Sequence, residues 1–227
     1  MRRLYIANKN YSSWSMRAWV LMRQTDIEFE EVMVRLDSFS PDSRFKGKLA
    51  EVSPAGRVPV LVDGSLSVWD TLSIAEYLAE TFPDRHLWPR EKALRATARS
   101  VCAEMHSGFG ALRDACPMNI EARLPEFGAL ALRDRPAVRV DLSRIVDMWS
   151  VLLREHKGPM LFGHFSIADA YYAPIVMRIL TYQLPVPADI HDYMDRVTRL
   201  EAVAEWIRDA LAERDFVAFE EPYRIGR

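Results

Sequence analysis

An α/β domain followed by an all-helical domain is the architecture this sequence predicts, on three observations. Strand and helix patterns alternate over the first eighty or so residues, a proline-marked hinge follows Phe82, and beyond it apolar residues recur at intervals of three and four. The short apolar run Leu4-Tyr5-Ile6-Ala7 reads as a strand, and residues 14–24 read as a helix with Trp14, Ala18, Leu21 and Met22 on one side. Residues 28–34 alternate as a second strand, and a polar segment with Ser38, Ser40, Pro41 and Asp42 leads to a short helical piece near 43–50. Val58-Pro-Val-Leu-Val62, a two-residue turn at Asp63-Gly64 and Leu66-Ser-Val-Trp69 make a hairpin, and a helix over 71–82 closes the block. Pro59 cannot donate to a ladder, so either the third strand begins there or the Val58–Pro59 bond is cis.

The chain divides at a linker over 84–90, giving domains of 1–83 and 91–227. In the second domain Leu94, Ala98, Val101, Met105, Phe109 and Leu112 form one helical stripe, and Leu142, Ile145, Trp149, Leu152 and His156 form another. Residues 166–182 make a further helix, opened by Ser166 and Asp169 as a reciprocal capping box, and 190–213 hold one or two more.

Composition narrows the function classes. A chain of 227 residues that is 49% hydrophobic can bury two cores. Thirty Lys plus Arg against thirty-two Asp plus Glu give a formal charge of -2 without a basic tract, which argues against nucleic acid or a membrane surface as partner. The N-terminus lacks the apolar core of a signal peptide and no run of eighteen apolar residues occurs, so a cytoplasmic location is expected. The two cysteines, Cys102 and Cys116, are separated by about 21 Å of rise if both are helical, which excludes a bridge between them there. Five histidines show no paired-ligand spacing, so no metal site is expected.

The chemistry concentrates at two helix starts. Asn10-Tyr-Ser-Ser-Trp-Ser-Met-Arg-Ala-Trp19 places Ser12, Ser13 and Ser15 where the first strand meets the first helix. One serine suffices as N-cap, and a helix start favours an anion through its free N–H groups and partial positive charge. A remaining hydroxyl suits a thiolate: ionising a thiol of ordinary pKa at neutral pH takes roughly two units, about 2.7 kcal/mol, and one hydrogen bond to a charged group contributes about 1.5–3 kcal/mol. Arg17 would reinforce the positive potential, and Tyr11 is a rival donor. At the second start, Asp70 or Thr71 caps the helix over 71–82; alternatively the helix end receives a ligand carboxylate while Asp70 holds an ammonium group.

A serine-rich helix cap after the first strand, Val-Pro opening the third, and an acidic-hydroxyl pair at the next helix together resemble the glutathione transferase family over essentially the whole chain. The resemblance implies a thioredoxin-like N-terminal domain that binds glutathione and a helical domain that supplies the electrophile pocket. In that reading Val58 before a cis Pro59 pairs its backbone with the cysteinyl unit, Asp70 and Thr71 bind the γ-glutamyl end with Arg17 nearby, and Ser12 or Ser13 holds the thiolate. Ser12-Ser13-Trp14-Ser15 is similar to the motif of the zeta-like, serine-dependent classes, with Trp14 where that group usually has cysteine. The zeta-type motif points to Ser12; counting back from Arg17 points to Ser13. Tyr11, Met105, His106 and Phe109 are the expected substrate-pocket residues. The implied activity is conjugation of glutathione to a small electrophile by a cytoplasmic homodimer of the detoxification type. The alternatives are glutathione-dependent cis–trans isomerisation of the maleylacetoacetate type, and a non-catalytic regulatory protein like the stringent-starvation proteins.

Overall fold

The computed structural model describes residues 1–223. Up to Thr81 it is a four-stranded sheet with helices on both faces, and the rest is helical. Strand β1 (Arg2–Ile6) runs into helix α1 (Ser13–Gln24), and β2 (Glu30–Met33) returns parallel to β1, with Leu4 opposite Glu31. Helix α2 (Arg44–Ala50) precedes β3 (Val60–Asp63) and β4 (Leu66–Trp69), an antiparallel hairpin that places β3 against β1 in the order β2-β1-β3-β4. The Asp63-Gly64 turn is as the sequence predicts, with Gly64 at φ +61. Helix α3 (Thr71–Thr81) completes the unit.

Side-chain alternation assigns the two faces. Leu4, Ile6 and Leu61 point into a core shared with Met16, Val20, Ile74 and Leu78 of α1 and α3, whereas Val60 and Val62 meet Phe45 and Leu49 of α2 on the opposite face. The edge strand β2 carries exposed Glu30 and Glu31, charges that blunt edge-to-edge pairing. The Val58–Pro59 bond is cis and the strand begins at Val60, so both readings of Pro59 apply together.

The helical part comprises α4 (Lys92–Ser107), α5 (Gly110–Ala115), α6 (Pro125–Asp134), α7 (Pro136–His156), α8 (Ile167–Tyr182), α9 (Ala188–Arg199) and α10 (Glu201–Glu213). Helix α8 is its axis: every residue except Leu180 is buried, and Trp149 of α7 packs edge-on against Tyr172 and Tyr193. The capping box forms as the sequence predicts, with Ser166 N–H donating to Asp169 Oδ2 at 2.9 Å. One helical expectation is corrected. The stripe from Leu94 to Leu112 is broken after Ser107, where Phe109 takes the left-handed φ of +55 and starts a new helix. Glycine is required at 108, since a Cβ there would lie 2.7 Å from the Glu104 carbonyl oxygen. Helix α1 bridges the two halves, packed on the sheet unit and against α8 and α10. Among the described residues no helix is long and apolar enough to cross a membrane.

Candidate active site

The three serines at the start of α1 have separate duties. Ser12 is the N-cap: its Oγ accepts from Ser15 N–H at 3.4 Å and donates to Ser15 Oγ at 2.7 Å. Ser15 is 0% exposed and accepts the Ala7 N–H at 3.1 Å, tying the end of β1 to the helix. These two hydroxyls satisfy each other and the backbone. Ser13, the first helical residue, lines a cleft, as Ser12 does, and its Oγ accepts from Arg178 Nη2 at 3.2 Å. Tyr11 also borders the cleft, but its hydroxyl donates to the Glu221 carboxylate, with the Asp215 carbonyl oxygen 3.2 Å away. Burial and the Glu221 hydrogen bond push the Tyr11 hydroxyl well above the usual tyrosine range, so its proton is committed.

The cleft measures ≈ 1150 Å³ and collects most of the expected ligand-binding positions. Val58 and Pro59 line it, and so do Asp70 and Thr71 at the start of α3. Asp70 is held at φ +75, a left-handed conformation that a residue adopts only when its surroundings impose it. Its Oδ1 accepts the Leu72 N–H at 2.8 Å, and its Oδ2 lies 3.3 Å from His106 Nε2. Thr71 is buried and accepts the Tyr171 hydroxyl hydrogen bond at 2.9 Å. Two cations absent from the sequence-level site also line the cleft, Lys46 of α2 and Arg57 just before Val58. Lys46 Nζ donates to the Gly56 carbonyl at 2.6 Å, which pins α2 to that loop.

On the helical side the wall is built from Gly110, Arg113, Asp114, Pro117, Met118 and Arg178. Met105 and Phe109, expected there, belong instead to the apolar core, at 1% and 6% exposure. The break at Gly108 explains this: with α4 ended, the left-handed Phe109 turns its ring inward and α5 presents Arg113 to the cleft. His106 is linked to the site through Asp70, and through Trp14, whose ring its own meets edge-on at 5.2 Å. Arg17, expected at the ligand, is 3% exposed behind the cleft wall, stacked over Trp14 at 4.3 Å and Tyr171 at 4.8 Å.

Three guanidinium groups therefore surround Ser13 and Trp14. Burial pushes Arg17 and Arg178 down to about 10, and lowers Arg113 as well. None of the three has an ion pair among the described residues. A helix start and three cations, of which Arg178 has a carboxylate, Glu220, within electrostatic range, make the corner favourable to an anion. Arg178 had one sequence signal, a lone arginine amid Ile175-Val-Met177 and Ile179-Leu180. A charge in so apolar a helix is rarely there for packing. Lys46 and Arg57 had none, being ordinary polar residues of a loop-rich stretch.

The chain is similar to known proteins over most of its length. Residues 11–81 match the family described as the glutathione S-transferase N-terminal domain. A probable maleylacetoacetate isomerase of Caenorhabditis elegans is 29% identical over 182 residues, spanning 80% of each chain. A stringent starvation protein A homolog of Haemophilus ducreyi is 26% identical over 148 residues, 65% of this chain and 64% of that one. In fold, the chain is similar to a glutathione transferase homolog from Burkholderia gl BGR1 solved with bound glutathione. The TM-score is 0.71 at 24% identity, covering 93% of this chain and 98% of that one.

Proposed function

From the premise that this chain belongs to the glutathione S-transferase family, we propose that it binds glutathione in the cleft at the start of α1 and conjugates it through its sulfur to a small electrophile. The observation that carries the reading is the convergence on one cleft of Ser13, Val58 and the Asp70–Thr71 pair, with Lys46 and Arg57. Glutathione has a thiol, a peptide backbone, an α-amino acid head and a second carboxylate, and this set offers each a partner. Ser13 Oγ donates to the sulfur, the Val58 backbone pairs with the cysteinyl unit, Asp70 takes the ammonium, and the start of α3 at Thr71 takes the neighbouring carboxylate. Lys46 and Arg57 attract the glycyl carboxylate.

In the reaction the thiol proton leaves to solvent and the thiolate attacks an electrophilic carbon. A C–S bond forms and the leaving group departs with the electron pair of the broken bond. The protein's contributions are a thiol ionised at neutral pH and two reactants held in attack geometry. The zeta-like assignment, a homodimer, a cytoplasmic location and a detoxification role form part of the same proposal. The likeness to a probable maleylacetoacetate isomerase favours a second reading, in which the thiolate adds to a maleyl compound, the bond rotates and glutathione leaves unchanged. The test is retention on immobilised glutathione, followed by parallel assays with a chloronitroaromatic acceptor and a maleyl substrate. Retention with conjugation is the expected result, and isomerisation alone establishes the second reading. A folded protein that glutathione does not retain contradicts both and favours a regulatory role.

A further inference from the structure

Among the described residues, the Ser13 hydroxyl has one side-chain partner, and it comes from 165 positions away in sequence: Arg178 Nη2 at 3.2 Å. The orientation of Arg178 is set by backbone, because Nη1 donates to the main-chain carbonyls of Arg113, at 3.2 Å, and of Cys116. Apart from Asp169 in the capping box it is the only charged residue of α8. Charged groups reach this corner from four other elements. Arg113 and Asp114 come from α5, Arg17 from α1, Asp70 from the start of α3, and Glu220 from the C-terminal segment. Asp114 is engaged by Arg135 at 2.8 Å, and Asp70 by Leu72 N–H and His106. Arg178 is buried beside the neutral Ser13 hydroxyl, and Glu220 is the carboxylate within electrostatic range of it.

We infer that Arg178 is the positioning residue for Ser13: it donates to Oγ, which turns the O–H toward the cleft as a donor to the glutathione sulfur. The inference rests on the reading that glutathione binds with its sulfur at Ser13. A serine hydroxyl has one proton and two lone pairs. With a lone pair held by a group that can only donate, the proton is free for an acceptor in the cleft. Arg178 acts through Ser13 and need not touch the sulfur.

The test is the ultraviolet thiolate absorbance of bound glutathione, titrated with pH in the parent, Ser13→Ala, Arg178→Met, and the double variant. Thermal unfolding verifies that each is folded, and glutathione affinity is measured alongside. The inference expects Arg178→Met to raise the bound-thiol pKa by about one unit, roughly tenfold less thiolate at fixed pH. The double variant should match Ser13→Ala alone, because both act through one hydrogen bond. A parent-like pKa in Arg178→Met, or shifts that add in the double variant, overturns it. If Ser13→Ala itself leaves the pKa unchanged while glutathione still binds, the underlying reading of Ser13 fails, and the inference with it. Should Arg178→Met not fold, Arg178→Lys carries the same decision: it keeps the charge but shortens the reach, so a raised pKa supports the inference and a parent-like one overturns it.

Discussion

At the scale of the residue, three neighbouring serines with the same chemistry do different work because of what each hydroxyl already touches. Ser12 and Ser15 are occupied with each other and with backbone, so their loss is a stability matter. Ser12→Ala is expected to cost about 1 kcal/mol of unfolding free energy, as for a lost N-cap, with glutathione affinity near the parent value. Urea denaturation and equilibrium binding check both halves. Tyr11→Phe removes a donor from the buried Glu221 carboxylate and is expected to cost about 1–3 kcal/mol without disturbing the bound thiol. An unchanged stability would mean that this hydrogen bond is not formed in solution. The sequence does not separate Ser13 from Tyr11, because the side chains that engage their hydroxyls lie 165 and 210 positions downstream.

At the scale of the element, what is local is legible and what depends on an approaching neighbour is not. The Asp63-Gly64 hairpin, the Asp70 cap and the Ser166–Asp169 box each close within four residues, and the sequence reports them. The end of α4 is hidden, because the apolar spacing from Met105 through Phe109 to Leu112 continues across a break that Gly108 and a left-handed Phe109 impose. Helix α6 opens on Pro125 without a side-chain cap and is held close against α8: a Cβ at Gly128 would fall 2.0 Å from the Tyr182 carbonyl oxygen. Gly128→Ala must therefore drive the two helices apart, and a loss of about 3 kcal/mol is expected, at the upper end for overpacking. Asp169→Ala is expected to cost at least as much. Its carboxylate receives two backbone N–H groups and the Ser166 and Tyr193 hydroxyls in a fully buried position. A midpoint shift in urea at constant slope reads both.

At the scale of the whole molecule, the site exists because the C-terminal half folds back on the first corner. Trp206 of α10 donates to the Lys9 carbonyl at 3.1 Å, and Lys9 Nζ pairs with Asp209 and Glu31 while lying 4.7 Å over the Trp19 ring. Past α10, Asp215 receives Arg35 through two bonds of 2.6 Å and Asn8 at 2.8 Å, and Glu220 reaches the cleft wall. The two-part architecture is visible from the hydrophobic period, and Val58, Pro59, Asp70 and Thr71, which line one side of the cleft, from local motifs. The cationic half of the cleft is not, because Arg113, Arg178, Lys46 and Arg57 acquire meaning only when distant segments meet. The most direct test of the central claim is a crystal structure of the glutathione complex. It should place the glutathione sulfur within hydrogen-bond distance of Ser13 Oγ, with Arg178 still donating to that oxygen and Ser12 still closed on Ser15. A sulfur held instead by Ser12 or Tyr11, or a tripeptide that does not span from Val58 to Asp70, would contradict it.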